Sequence, residues 1–215
     1  MAATVDALLP LSFLEAVRDV DTPEGEYDSE LVAELKNKRF GLSDTVYTQI
    51  RRYTDAVKRN QSVAHEEAVA LARLIGRRQD AENVFRAAGA YLALETYQSI
   101  SPVLRQLMRI LPSLLARPIA LRRARRITKR YLNASLNRNG SFLTLEVPES
   151  VTIESAPRAA GCSYYGTFLR ELMRLLIGGA GPVEHVRCAS RGEDACEWRA
   201  DWRPMDRAAM AASEG

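Results

Sequence analysis

The spacing of the apolar residues changes once along this 215-residue chain, and that change limits the folds open to it. Through the first two-thirds the spacing is helical. "LPLSFLEAVRDVD" reads as a short helix, and "TPEGEYDSE" as an acidic, turn-rich link capping a second helix, "SELVAELKNKRF". Together residues 1–40 read as a peripheral arm. "LSDTVYTQIRRYTDAVKRN" takes Ser43 or Asp44 as N-cap and keeps Val46, Ile50, Tyr53 and Val57 to one face. "SVAHEEAVALARLIGRR" follows with Ser62 as cap and Val69, Leu71 and Leu74 inward. "DAENVFRAAGAYLALETYQSI" is a third strong helix, in which Ala88, Gly89 and Ala90 admit close approach of another backbone. "SPVLRQLMRILPSLLARPIALRRARRITKRYLNASL" is helical again. Pro112 and Pro118 each remove a backbone donor from it, so two or three pieces at an angle are expected.

After the turn "NRNG" the period drops to two. "GSFLTLEV" alternates as a half-buried strand does. "SYYGTFLRELMRLLIGG" then returns to helical spacing, with Tyr165, Phe168, Leu169, Leu172 and Leu176 on one stripe, and stops at its glycines. "PVEHVRCAS" and "ACEWRADW" read as two strands joined by the turn "RGED", with Cys196, Trp198 and Trp202 sharing one face. The expected class is therefore α/β of the α+β kind: a helical N-terminal portion, then a small antiparallel sheet with a C-terminal helix and a β-hairpin. Its expected organisation is a helical N-terminal extension over residues 1–60, a binding domain over 61–204 and a disordered tail over 205–215.

Charge is distributed unevenly. Ten acidic residues face four basic ones between Met1 and Val46, whereas Thr96 to Leu145 holds ten Arg or Lys and no acid, within a net charge of only +3. The run "RPIALRRARRITKR" places Arg122, Arg123, Arg125, Arg126, Lys129 and Arg130 around a helix, leaving Ala120, Ala124, Ile127 and Tyr131 on the remaining stripe. Such a helix could meet phosphate or anionic lipid. A solvated face, or docking against an acidic surface of this or a neighbouring chain, is the more common outcome, and no DNA-reading motif frames it. Nucleic acid and membrane surface are thus the less favoured partners.

The N-terminal stretch lacks a basic region and meets Asp6 early, unlike a secretory signal, and no uncharged apolar run reaches the length of a membrane span. These features and three cysteines point to a reducing compartment of the bacterial cytoplasmic type. All three cysteines fall in the C-terminal module: Cys162 in "AAGCSYYGTFL", and Cys188 and Cys196 in "HVRCASRGEDAC" beside His185. Zinc favours tetrahedral sets of thiolate and imidazole, and His185 and Cys188 are spaced so that one turn offers both. On spacing alone two other readings stand beside zinc. Cys162 and Cys196 could be small core residues with His185 at the surface, or Cys188 and Cys196 could be a redox pair, though without the close spacing of thiol oxidoreductases.

These residues also carry a resemblance. "AGCSYYGTFLRELMRLLIGGAGPVEHVRCASRGEDACEWRADW" resembles the C-terminal half of the 4-vinyl-reductase domain. That family shows a Cys opening a glycine-containing helix, a strand ending in Glu-x-x-Cys, a glycine turn, and a second Cys followed by an aromatic residue. Cys162, Cys188, Gly192 and Cys196 fall on those positions, and "ENVFRAAGAYLALETY" is similar to the family's small-residue helix. The resemblance runs from about Asp80 to Trp202 and is specific only over the stretch quoted first. In zinc-containing members, among them aromatic-sensing domains of bacterial transcription activators, the ligands are the three cysteines and the Glu of Glu-x-x-Cys. Here His185 stands in that place, with Glu184 one step further out as the minor variant, so the resemblance implies a structural Cys3His zinc site.

The resemblance further implies an α/β sandwich like that of haem-NO-binding domains and vesicle-tethering subunits, and a homodimer formed through helices. It also implies a hydrophobic pocket beside the zinc, for which Tyr164, Tyr165, Phe168, Met173, Trp198 and Trp202 are the lining candidates. No haem is expected: the Tyr-x-Ser-x-Arg signature of the haem-binding relatives is missing, and His65, between helical neighbours, reads as solvent-facing. Three functional readings follow. The first is a ligand-binding or sensory domain that takes a small hydrophobic molecule and signals to a protein partner through its helical N-terminal part. The second is an accessory or carrier protein of bacteriochlorophyll synthesis that handles a vinyl-bearing tetrapyrrole. The third is a phosphate or lipid binder acting through the basic helix. No dinucleotide loop, flavin motif or acid–base pair is visible, so no catalytic residue is assigned and a binding role is expected over an enzyme.

Overall fold

The computed structural model describes residues 3–22, 40–153, 157–179 and 181–202. The expected helix "SELVAELKNKRF", its acidic link and the tail over 205–215 lie outside the described residues, apart from Thr22 and Phe40. Among the described residues the order is β1 (Thr4–Asp6), α1 (Leu8–Asp21), α2 (Asp44–Lys58), β2 (Ser62–Ala64), α3 (His65–Gly76), α4 (Ala81–Gln98), α5 (Pro102–Ile110), α6 (Ser113–Leu132), β3 (Ser135–Asn139), β4 (Phe142–Val147), α7 (Ser163–Ile177), β5 (Val183–Arg187) and β6 (Cys196–Asp201). Short 3-10 turns precede α2 and α7 and follow β5. The class is the mixed one expected, with small antiparallel sheets beside helices and a C-terminal helix followed by a strand hairpin. The chain divides into two compact units, one of residues 1–92 with 151–164 and one of 93–150 with 165–215.

In the first unit α1 departs from the reading as a peripheral arm. Leu8, Leu9, Leu11, Phe13, Leu14, Ala16 and Val17 are all buried, so apolar side chains cover the helix nearly all round and it must sit in a core. α2 and α3 pack on it, and Phe13 meets Phe85 edge-on at 5.9 Å and Tyr164 at 5.0 Å. Ser43 caps α2 as its sequence position predicts, accepting from the Val46 N–H at 3.3 Å. Ser62 does not cap α3. It lies in β2, which pairs antiparallel with β1, and α3 begins at His65 with Ala68, Ala72 and Ile75 inward while Leu74 is exposed. The helical face is set by these small residues, which let α1 approach. His65 is half-buried rather than solvent-facing, because β1 reaches the start of α3 and Ala3 O accepts the His65 N–H.

Tyr53 donates to Glu67 Oε1 at 2.6 Å, and Arg52 grips both oxygens of the same carboxylate at 2.6 and 3.1 Å. Burial alone would raise the Glu67 pKa, but these donors outweigh it and hold the group below its ordinary value. A carboxyl with a depressed folded pKa stabilises above its unfolded pKa and loses that contribution as pH falls through the folded one. Tyr53→Phe removes one charged hydrogen bond and brings the two values closer. It is expected to cost about 1.5–3 kcal/mol at neutral pH and less at acid pH, which urea unfolding at neutral and strongly acid pH measures.

In the second unit Pro112 separates α5 from α6, while Pro118 lies inside α6 without ending it, so the helical stretch has two pieces there and not three. Asn133 in the left-handed region stops α6, and the chain turns at once into β3. That strand stands where the sequence suggested helix and turn. Its residues "SLNRN" bury only Leu136, as an edge strand allows, so alternation could not reveal it. The sheet order is β3-β4-β6-β5, antiparallel throughout. Its buried face carries Leu136, Leu143, Leu145 and Val147 with Cys196, Trp198 and Ala200. α6 packs along β3, where Arg125 Nε donates to Leu136 O at 3.0 Å.

Candidate metal centre

The register of the β5–β6 hairpin decides which side chains meet. His185 pairs with Trp198, and directly opposed residues of an antiparallel pair share a face. Cys196 lies two residues from Trp198 and so falls on that face as well. Cys188 lies three residues from His185, which in a regular strand would send it to the opposite side. The register instead shifts between His185 and Arg187, a bulge at Val186 that adds one residue and restores the parity. His185 and Cys188 are therefore offered by a bulged strand and not by one turn, as the spacing had suggested. Cys162 arrives from the last residue of the 3-10 turn, immediately before α7.

The result is a tight cluster. One ligand atom each from Cys162, His185, Cys188 and Cys196 lies within 4.8 Å of all the others. The three cysteines are buried and form no disulfide. Zinc bonds of about 2.3 Å to sulfur and 2.0 Å to nitrogen hold such donors roughly 3.5–3.8 Å apart, so a small contraction closes a tetrahedral shell. The Ala189 N–H donates to Cys196 Sγ at 3.4 Å, and the Cys188 Sγ and Ser190 Oγ atoms form a hydrogen bond at 2.9 Å. Glu193 accepts from the Cys188 N–H, and Gly192 in the left-handed region completes the reversal.

His185 distinguishes an ion site from packed thiols. Its Nε2 is buried and has no hydrogen-bond partner. Buried thiols pack as small apolar groups, but a buried ring nitrogen without a partner is costly, and a metal ion held through that nitrogen would satisfy it. The ring is held flat on Trp198, with centroids 4.6 Å apart and planes 11° from parallel, and Tyr165 lies against Trp198 at 5.0 Å. Glu184 points elsewhere. It is exposed and pairs with Arg199 Nη2 at 3.2 Å, as its place on the other face of β5 requires.

The six aromatic and Met candidates for a ligand pocket are all at most 3% exposed. Tyr165 joins Trp198 in the stack beside His185. Tyr164 turns to Phe13 and to Ser12 Oγ, 3.1 Å from its hydroxyl. Trp202 lies under the Arg117 guanidinium, 4.8 Å from its ring, and Phe168 and Met173 are buried on α7. The basic run is exposed at Arg122, Arg125, Arg126, Lys129 and Arg130 and half-buried at Arg123, with Ala120, Ala124, Ile127 and Tyr131 buried opposite, the division its spacing predicts. Sequence reasoning missed the supporting residues Ala189, Ser190 and Glu193. Their signal is the tight turn "CASRGE", in which Ser and Glu flank a glycine next to a cysteine. Comparison with protein-family models and with curated proteins gives no match to this chain.

Proposed function

We propose that this chain is a binding module built around a structural zinc ion held by Cys162, His185, Cys188 and Cys196, and that it takes a small hydrophobic ligand and passes the event to a protein partner through its helices. The single observation that carries the reading is the cluster itself: one ring nitrogen of His185 lies within 4.8 Å of the sulfurs of three buried cysteines, in a ring whose Nε2 is buried and has no hydrogen-bond partner. Bound zinc would supply a fixed tetrahedral crosslink. With four protein donors it has no open position for a water, so the site favours a structural role over catalysis. The chain's own residues do the rest: the bulge aims His185 and Cys188, Trp198 lies flat against the imidazole, and the Ala189 N–H donates to Cys196 Sγ. Three thiols kept for metal suit a reducing compartment.

The ligand part of the proposal rests on the resemblance to the 4-vinyl-reductase domain and on the aromatic layer beside the cluster. Thermal-shift screening of zinc-loaded protein against small apolar and aromatic compounds tests it, together with solvent extraction of the purified protein. A true ligand at a hundredfold excess over its Kd is expected to stabilise by about 2.7 kcal/mol. If no compound shifts the melting temperature and nothing extracts, the ligand reading falls while the metal reading stands.

A further inference from the structure

One surface of the second unit is unlike the rest of the described molecule. α5 leaves Val103, Leu107 and Ile110 exposed at 80, 43 and 70%, a stripe at i, i+4 and i+7 along one helical face. Leu114 and Leu115 open α6 just past the break and are 84 and 58% exposed. No more than about 14 Å of chain separates Ile110 from Leu114. Five large apolar side chains are thus exposed between Val103 and Leu115, where a soluble surface scatters such residues singly. The inner side of α5 is accounted for by Met108, which is buried, and by packing of α5 against α6.

The charge around the stripe says what covers it. Arg109 is exposed beside Ile110, and the exposed side of α6 runs from Leu114 through Pro118 to Arg122, Arg125 and Lys129, a helical series. No acidic residue occurs between Thr96 and Leu145. A second copy meeting this face across a two-fold axis would set the patch against itself and bring like charges together. Nucleic acid would pair with the cations but leave the apolar stripe in water. A surface that is both apolar and anionic satisfies both halves. No helix among the described residues is long and apolar enough to cross a membrane, so the fit is to the plane of the bilayer and not through it.

We propose that Val103, Leu107, Ile110, Leu114 and Leu115 insert into the headgroup region of an anionic lipid bilayer, with Arg122, Arg125 and Lys129 engaging its phosphates. This surface is separate from the metal cluster and does not rest on the reading of that cluster.

Co-sedimentation of the full chain with phosphatidylcholine vesicles, with and without phosphatidylglycerol, tests it. Binding is expected only to the anionic vesicles and to weaken with salt. Leu114→Glu is expected to lower the partition roughly tenfold, since a fully buried leucine contributes that much or more. Changing Arg122, Arg125 and Lys129 to Ser is expected to lower it about fivefold for each cation removed. All four positions are exposed, so the fold should hold, with a small fall in melting temperature for the Ser variant from loss of the Arg125–Leu136 O hydrogen bond; should Leu114→Glu fail to fold, the triple Ser variant still decides. Equal binding to neutral vesicles, or anionic binding that survives both variants, overturns the proposal. So does a dimer that Leu114→Glu dissociates in protein that ignores vesicles, which would assign the face to a second copy. Duplex DNA binding untouched by Leu114→Glu, without vesicle binding, would assign the cations to nucleic acid and likewise overturn it.

Discussion

The full chain, purified under reducing conditions, is expected to carry one equivalent of zinc, and Cys196→Ser is expected to carry almost none. Three sulfurs of buried cysteines and one imidazole nitrogen within 4.8 Å of one another form a complete donor set, and serine is a poor substitute for thiolate in it. Metal that binds only the folded state stabilises in proportion to its affinity. Removal of zinc held at a thousandfold over its Kd would cost about 4 kcal/mol, or roughly 8–16 °C in melting temperature for a chain of this size. EDTA should therefore lower the melting temperature of the wild type by about that much and leave Cys196→Ser unchanged. This crossed comparison separates lost metal from damaged packing, because a variant hurt only by a poorer core would still respond to the chelator. Zinc well below one equivalent in the wild type, or Cys196→Ser retaining both metal and stability, would sink the site. Disulfide formation between Cys188 and Cys196 in place of metal would restore the redox reading.

The donors of this site were legible in the sequence, and their geometry was not. Cys162, His185, Cys188 and Cys196 stand out because their residue types are scarce and gather in one module. What brings them together is a bulge at Val186, a one-residue shift that depends on pairing between β5 and β6 and has no local signature. The same distinction holds for the fold. α7 was readable because its apolar stripe is long and ends at Gly178 in the left-handed region, and β4 because Leu143, Leu145 and Val147 alternate cleanly. β3 was not, because an edge strand with one buried side chain carries no period. α1 was readable as a helix but not as a core helix, since burial on all sides depends on which elements arrive later in the chain. Pro118 left open whether the stretch had two pieces or three. In α6 it lies one turn past the first, where one backbone bond is lost and the packing of Ala116, Ala120 and Ala124 holds the helix together.

The second large effect concerns Trp198, and it asks whether the core and the metal cluster are one structure or two. The indole is 2% exposed and lies against both the His185 and Tyr165 rings, with Gly166 against its edge, where a Cβ would already touch at 3.4 Å. Trp198→Ala leaves a cavity that this neighbourhood of ring faces and strand backbone cannot collapse around, and it is expected to cost about 3–5 kcal/mol. Trp198→Phe keeps a ring under the imidazole and should cost less. If the stack also sets the His185 plane, the loss will not be confined to packing. Groups that orient a ligand contribute about 10–100-fold to metal affinity, so Trp198→Ala should weaken zinc binding by that factor in competition with a chelating dye, and Trp198→Phe should recover most of it. The deficit in stability would then be larger with zinc than without, by about 1.4–2.7 kcal/mol. An equal deficit in both states, with unchanged zinc affinity, would make Trp198 a core residue that happens to lie beside the cluster, and would assign the positioning of His185 to the bulge alone.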